Sequence, residues 1–183
     1  MKLKTSMILL TSLAGLGFAQ GQKKAPPSPP AETSVKIAGK DISIKYSAPS
    51  MRNRKIFGGA GALQPDNTVW RAGANQATAL HTDADLTIGK LNVPKGDYTL
   101  YVFLDPKGWQ LIVSKQTGQW GINMDGSTTL DEKQAIGRTP MKMSRPPAPI
   151  ETYKMTLAST GGNKGTLTLE WENVIASVDF TAK

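Results

Sequence analysis

The chain has a single histidine, His81, and it is followed at two-residue intervals by Asp83 and Asp85. In an extended strand, side chains at i, i+2 and i+4 share a face. His81, Asp83 and Asp85 could therefore converge on a borderline divalent ion and support a metal-dependent or other hydrolase. The same segment also reads as a turn, Thr82-Asp83-Ala84-Asp85, between strands at Thr78–His81 and Leu86–Ile88. Aspartate favours turns because its carboxylate bonds its own backbone. A turn breaks the shared face and is the stronger reading, so no resident metal and no cofactor are expected.

The second chemically distinctive stretch is Trp70-Arg71-Ala72-Gly73-Ala74-Asn75-Gln76-Ala77-Thr78. It sets an arginine and two amides among small residues beside a tryptophan. Arg71 offers a planar fork for a carboxylate or phosphate. Asn75 and Gln76 can both donate and accept, and the small residues allow backbone or ligand to approach closely. Gln119-Trp120-Gly121 supplies a second tryptophan next to an amide. The candidate binding set is Arg71, Asn75 and Gln76, with Trp70 or Trp120 as a stacking wall. A structural role competes with it: Arg71 paired with Glu170 or Asp97, and Asn75 bonded to loop backbone. Gly58-Gly59-Ala60-Gly61 lacks the Gly-Lys-Ser/Thr continuation of a phosphate loop and reads as a surface loop. Glu170 and Glu172 share a strand face that is expected to meet solvent. No Gly-x-Ser-x-Gly elbow occurs.

Composition narrows the chemistry further. The 183 residues hold 22 Lys+Arg, 14 Asp+Glu, one His and no Cys. Thiolate chemistry, disulfides and Cys/His zinc sites are thereby excluded. Residues 1–19 have the form of a signal peptide: Lys2 and Lys4, an apolar run from Met7 to Phe18, and small residues at Gly17 and Ala19. That run falls short of the roughly 20 residues a membrane span needs. Cleavage after Ala19 predicts a periplasmic or secreted protein with no transmembrane segment. Losing Lys2 and Lys4 takes the net charge from +8 to +6. In such a compartment, a basic surface would meet an anionic envelope polymer rather than nucleic acid.

These candidates need elements to hold them in place. Residues 20–34 carry four prolines and little that could pack, so they read as a disordered linker. From 35 to 183, apolar residues alternate with polar ones in stretch after stretch. Val35 and Ile37 lead through Gly39-Lys40, the expected hairpin turn, to Ile42, Ile44 and Tyr46. Asp97–Leu104 is apolar on both faces, as a strand covered on both sides would be. Leu167, Leu169 and Trp171, then Val174, Ala176, Val178 and Phe180, each mark one apolar face. No long 3.6-residue period appears; Gln64–Thr68 and Asp131–Ile136 suit short helical turns at most. The pattern predicts an all-β fold, a single antiparallel β-sandwich or jelly-roll-like domain of nine or ten short strands.

Several stretches together resemble the DUF2911 family of exported bacterial proteins of unknown function. They are Tyr46–Gly58, Val69–Thr78, Val93–Leu100, Gly108–Val113, Gln119–Gly121 and Leu167–Glu172. The resemblance spans roughly residues 35–181 and implies export and one compact domain, but no reaction. In that family the position of Gln76 is often Glu; this chain lacks that carboxylate. The residues point first to a non-enzymatic module that binds a small molecule or an envelope polymer. The alternatives are the His81-based hydrolase and a structural envelope-interaction protein with a basic surface.

Overall fold

The structure is a computed structural model that describes residues 27–183. The expected signal peptide (1–19) and the first part of the expected linker (20–26) lie outside the described residues. Fifteen strands follow in chain order. They are β1 Pro30–Ile37, β2 Lys40–Ser47, β3 Phe57–Gly58, β4 Gln64–Pro65, β5 Val69–Trp70, β6 Thr78–Thr82, β7 Leu86–Ile88 and β8 Leu91–Val93. Then come β9 Gly96–Phe103, β10 Gln110–Ser114, β11 Ala135–Pro140, β12 Lys142–Ser144, β13 Ile150–Gly161, β14 Lys164–Glu172 and β15 Val174–Ala182. The count exceeds the expected nine or ten because β3, β4, β5, β7, β8 and β12 have only two or three residues each, too few to show alternation.

Two sheets carry the fold. One runs β1-β2-β6-β9-β10-β11, with β5 also on β9; the other runs β13-β14-β15-β7-β8, with β12 on β15. All their pairings are antiparallel; the small β3–β4 pair is parallel. Their apolar faces meet in a sandwich whose core runs from Ile42, Leu80, Leu167 and Phe180 to an aromatic end. There Phe57 makes edge-on contacts with Trp70, Trp109 and Trp171, at centroid distances of 5.4, 4.6 and 5.6 Å. Trp70 lies nearly parallel to Trp171 at 5.9 Å. Such pairs add about 0.5–1.5 kcal/mol each beyond the area they bury.

The first strand corrects the linker boundary. Residues 30–34 are not linker: β1 pairs with β2 from Pro30↔Ser47 to Ile37↔Lys40. An edge strand tolerates proline at its first position and needs no second apolar face, so its polar sequence hides it. The β1–β2 hairpin also closes the sandwich edge, because the Leu157 N–H donates to Thr33 Oγ1 of β1 and the Met155 N–H to Tyr46 Oη of β2, both at 3.0 Å. The hairpin turn falls one residue earlier than expected, on Ala38-Gly39, with φ of +49° and +77°. Two left-handed residues in succession make the turn that matches strand twist.

The central strand β9 is covered on both faces, as its sequence requires. Leu100 and Val102 face the other sheet, while Tyr101 and Ile112 are buried under the excursion 115–134 between β10 and β11. Gln119 Nε2 donates to Tyr101 Oη at 2.9 Å, tying that excursion down. Within it, Glu132–Gln134 forms a short 3-10 turn capped by the Asp131 carboxylate. The other expected helical turn, Gln64–Thr68, is instead β4 followed by a turn.

Candidate functional site

The Trp70–Thr78 segment interrupts a strand. Trp70 in β5 stands opposite Val102, and Thr78 in β6 opposite Leu100, both on the same side of β9. Residues 71–77 therefore occupy the place where a continuous ladder would put one residue opposite Tyr101, and they leave the sheet as a loop. Its small residues are explained by close approach. Gly73 lies against the Ser47 backbone, where a Cβ would meet the Ser47 carbonyl at 3.0 Å. Ala72 and Asn75 are left-handed, with φ of +53° and +58°. Thr78 Oγ1 donates to Ala72 O at 2.7 Å, and the Trp70 indole to Gly73 O at 3.0 Å, so the loop is pinned from below.

Arg71 opens this loop, and its expected ion pairs do not form. Asp97 is bonded to His81, and Glu170 sits in β14 opposite Lys154. Arg71 has no salt bridge among the described residues, and its Nη1 is buried without a hydrogen-bond partner there. Burial pulls the guanidinium pKa below the usual arginine value. Of the four buried side-chain polar atoms without a partner among the described residues, Gln119 Oε1 is another, so the 119–121 segment and Arg71 contribute one orphan acceptor and one orphan donor. Trp120, 53% exposed, holds its ring 5.8 Å from the Arg71 guanidinium carbon. Gly121 allows that packing, since a Cβ there would meet Arg71 Cβ and Cδ at 2.8 Å.

Arg71 also lines a cavity of about 480 Å³ with Arg54, Gln64 and Thr68, over a floor that includes Trp70 and Trp171. Among the described residues, its only charged lining residues are the two arginines. Arg54 is held by the carbonyls of Met51 and Ser50 at 2.9 and 2.8 Å. The described wall thus sets a half-buried guanidinium beside a second cation, with no acid among its lining residues.

The other candidates disperse. Trp70 is 2% exposed, part of the aromatic core, and offers no free stacking face. Asn75 donates to Ser28 O and Ser47 Oγ, both at 3.2 Å, and so ties its loop to the segment before β1 and to the end of β2. Gln76 is exposed beside β1 and β2, on a different depression lined by Glu32, Lys45 and Tyr46. Of the five binding candidates, Arg71 and Trp120 meet around one site.

His81, Asp83 and Asp85 form no metal cluster among the described residues. The chain bends after Thr82, whose hydroxyl donates to Ala84 O at 2.7 Å, and β7 then starts in the opposite sheet. His81 Nδ1 faces Asp97 at 2.8 Å and Nε2 faces Asp83 at 3.2 Å, while Asp85 accepts from the Lys95 N–H at 2.8 Å. The Asp97 bond first, and then the Asp83 bond, raise the His81 pKa. Both ring nitrogens are thus engaged by carboxylates.

Glu172 overturns the expectation of a solvent-facing acid. It is 8% exposed and takes φ +52° in the two-residue turn between β14 and β15. Its oxygens accept from the Ile56 N–H at 2.9 Å and the Phe57 N–H at 3.3 Å. This carboxylate holds the 56–57 backbone against the aromatic end and lines an open groove of about 700 Å³ with Lys55 and Arg145. Nothing local in the sequence marks it, because its partners lie some 116 residues away.

A family model described as "Protein of unknown function (DUF2911)" matches residues 28–180. The chain belongs to the DUF2911 family. The match takes in β1 and nearly all of β15, so the family unit of this DUF2911 chain is the whole sandwich. Neither the curated proteins nor the solved structures yield a match to it. No helix among the described residues is long and apolar enough to cross a membrane.

Proposed function

We propose that this DUF2911 protein is an exported, non-enzymatic binding module that captures an anionic group, small-molecule or polymer-borne, at Arg71. The observation that carries this reading is the half-buried guanidinium whose Nη1 has no acceptor among the described residues. Desolvating a charge without a partner costs free energy, and a carboxylate or phosphate in the cavity that Arg71 lines offsets that cost through its opposite charge. Arg54 adds a second positive charge, and Trp120 beside Arg71 offers an exposed ring for stacking. Export rests on the Lys2/Lys4, Met7–Phe18 and Ala19 pattern. N-terminal sequencing of the protein from a periplasmic or culture fraction tests it, the expected first residue being Gln20.

Replacing Arg71 by alanine separates binding from architecture. A structural arginine, once removed, lowers the melting temperature by many degrees. A receptor arginine that is unpaired in the free protein leaves it within about 3 °C, since about 1 kcal/mol corresponds to roughly 2–4 °C in a domain of this size. Acetate and inorganic phosphate, titrated at constant ionic strength and followed by amide NMR shifts, are expected to perturb residues 71, 54 and 120 in the wild type and not in Arg71→Ala. Identical shifts in both proteins refute the site.

A further inference from the structure

The cavity beside Arg71 is cationic in one part and apolar in another. Four large apolar side chains are exposed among the described residues: Leu63, Trp120, Met124 and Met143. One of them lines the cavity and two stand on the adjoining 120–126 segment. Leu63 lines the cavity, Trp120 stands over Arg71, and Met124 projects fully from the turn between Ile122 and Gly126, which are both lining residues. Val69 and Pro49 extend the apolar wall. The Met124 turn is preformed: Asn123 Nδ2 donates to Ser127 Oγ at 3.0 Å, and the Ser127 N–H to Asp125 Oδ1 at 2.9 Å. Asp125, the one acid of that turn, also accepts from the Ser127 hydroxyl at 2.6 Å and is not part of the cavity wall.

An anion alone needs none of this apolar rim. Apolar side chains gathered beside a charged receptor mark a ligand with a matching apolar part. We infer that the Arg71 site takes an anionic amphiphile, a carboxylate or phosphate headgroup on an alkyl or aryl tail. The headgroup meets Arg71 and Arg54, and the tail lies along Leu63, Val69 and Ile122. This inference rests on the anion-binding reading above and adds the tail to it.

A homologous series tests the tail separately from the head. Acetate, butyrate, hexanoate and octanoate are titrated into the full domain at constant ionic strength, with octanamide as the uncharged control. Burying one methylene corresponds to about a fourfold gain in affinity, so affinity is expected to climb about that much per carbon until the rim is full. Arg71→Ala is expected to abolish the climb's charged starting point, and Leu63→Ser to flatten the gain per carbon. Vesicles of phosphatidylcholine, with and without phosphatidylglycerol, distinguish the source of the headgroup. Arg71-dependent binding of free octanoate assigns a soluble amphiphile, and Arg71-dependent binding only to the anionic vesicles assigns a bilayer lipid; either result supports the inference. Arg71-dependent acetate binding that octanoate does not improve, with no vesicle binding, overturns the amphiphile and leaves the anion site standing. Octanamide binding as tightly as octanoate overturns it as well, because the patch is then merely greasy. If neither acids nor vesicles bind, both readings fall.

Discussion

Glu172 gives the sharpest test of how this fold is held. Its carboxylate is the acceptor for two backbone N–H groups, at Ile56 and Phe57, and Ile56 is fully buried. Truncation to alanine removes both acceptors and leaves the Ile56 N–H without a protein partner. A hydrogen bond to a charged group contributes about 1.5–3 kcal/mol, and an orphaned buried donor costs about 1–3 kcal/mol. The longer 3.3 Å bond counts for less. A loss of about 2–4 kcal/mol follows, a fall of roughly 5–15 °C in melting temperature at about 2–4 °C per kcal/mol. Alanine retains the strain of φ +52°, so Glu172→Gly is the informative comparison. Glycine relieves about 1–3 kcal/mol of backbone strain while deleting the same carboxylate. It is expected to melt between alanine and wild type. The assay is thermal unfolding followed by tryptophan fluorescence, which reads the adjacent Trp171 and its aromatic neighbours directly. An alanine variant that melts with wild type, its strain unchanged, would show that the carboxylate bonds contribute nothing, and the account of Glu172 as the clasp of the 56–57 loop would be wrong.

His81 and Gly165 supply two further tests. As the only histidine, His81 gives one imidazole resonance, whose titration midpoint is expected above 6.5 and is expected to drop more in Asp97→Asn than in Asp83→Asn. Its folded-state pKa is raised, so its contribution to stability is fully present below about pH 6.5 and fades as pH rises through the folded value. The ring is exposed, so the effect on melting temperature is small and shrinks with salt; a midpoint below 6.5 refutes the double clamp. Gly165→Ala would place a Cβ against the Ala158 carbonyl and Ile37 Cδ1, both at 2.9 Å, and against the Phe180 ring. Overpacking of this kind costs about 1–3 kcal/mol, and a variant that melts with wild type would contradict the packing of β13, β14 and the core.

Much of the fold was legible because its signals are local. Strict alternation at Leu167, Leu169 and Trp171, or at Ala176, Val178 and Phe180, places those side chains inside whatever the strands pair with. The two apolar faces of Asp97–Leu104 required a cover on each side, and the 115–134 excursion provides the outer one. Where local signals were weak, expectation and structure part. Pro30–Ser34 reads as linker because an edge strand can be polar on both faces. The β5–β6 interruption was invisible as such, although its cause, the run of small residues from Ala72 to Ala74, was the feature that made the segment distinctive. Arg71 was found by its residue type among those small neighbours; its lack of an ion pair was not, since a partner such as Asp97 is equally available in the sequence and was claimed in space by His81.

The sequence by itself determined an antiparallel all-β domain, the family, the exclusion of thiol and Cys/His zinc chemistry, and Arg71 and Trp120 as residues of interest. The fold class and the excluded chemistry follow from period-two patterning and composition, the family from the resemblance of several motifs in order, and Arg71 and Trp120 from residue type beside small neighbours; each is local to the chain. Only the tertiary structure decided which tryptophan is core and which is surface, though Trp70 and Trp120 both sit beside small residues and amides. It alone brought Glu172 to Ile56, set Leu63 and Arg54 with Arg71 in one cavity wall, and placed Trp120 against the Arg71 guanidinium. Burial and partnership depend on which distant strands pair and which loops those pairings expel, and a ladder that skips from Trp70 to Thr78 opposite a single residue of β9 is what puts Arg71 at the surface with its charge unspent.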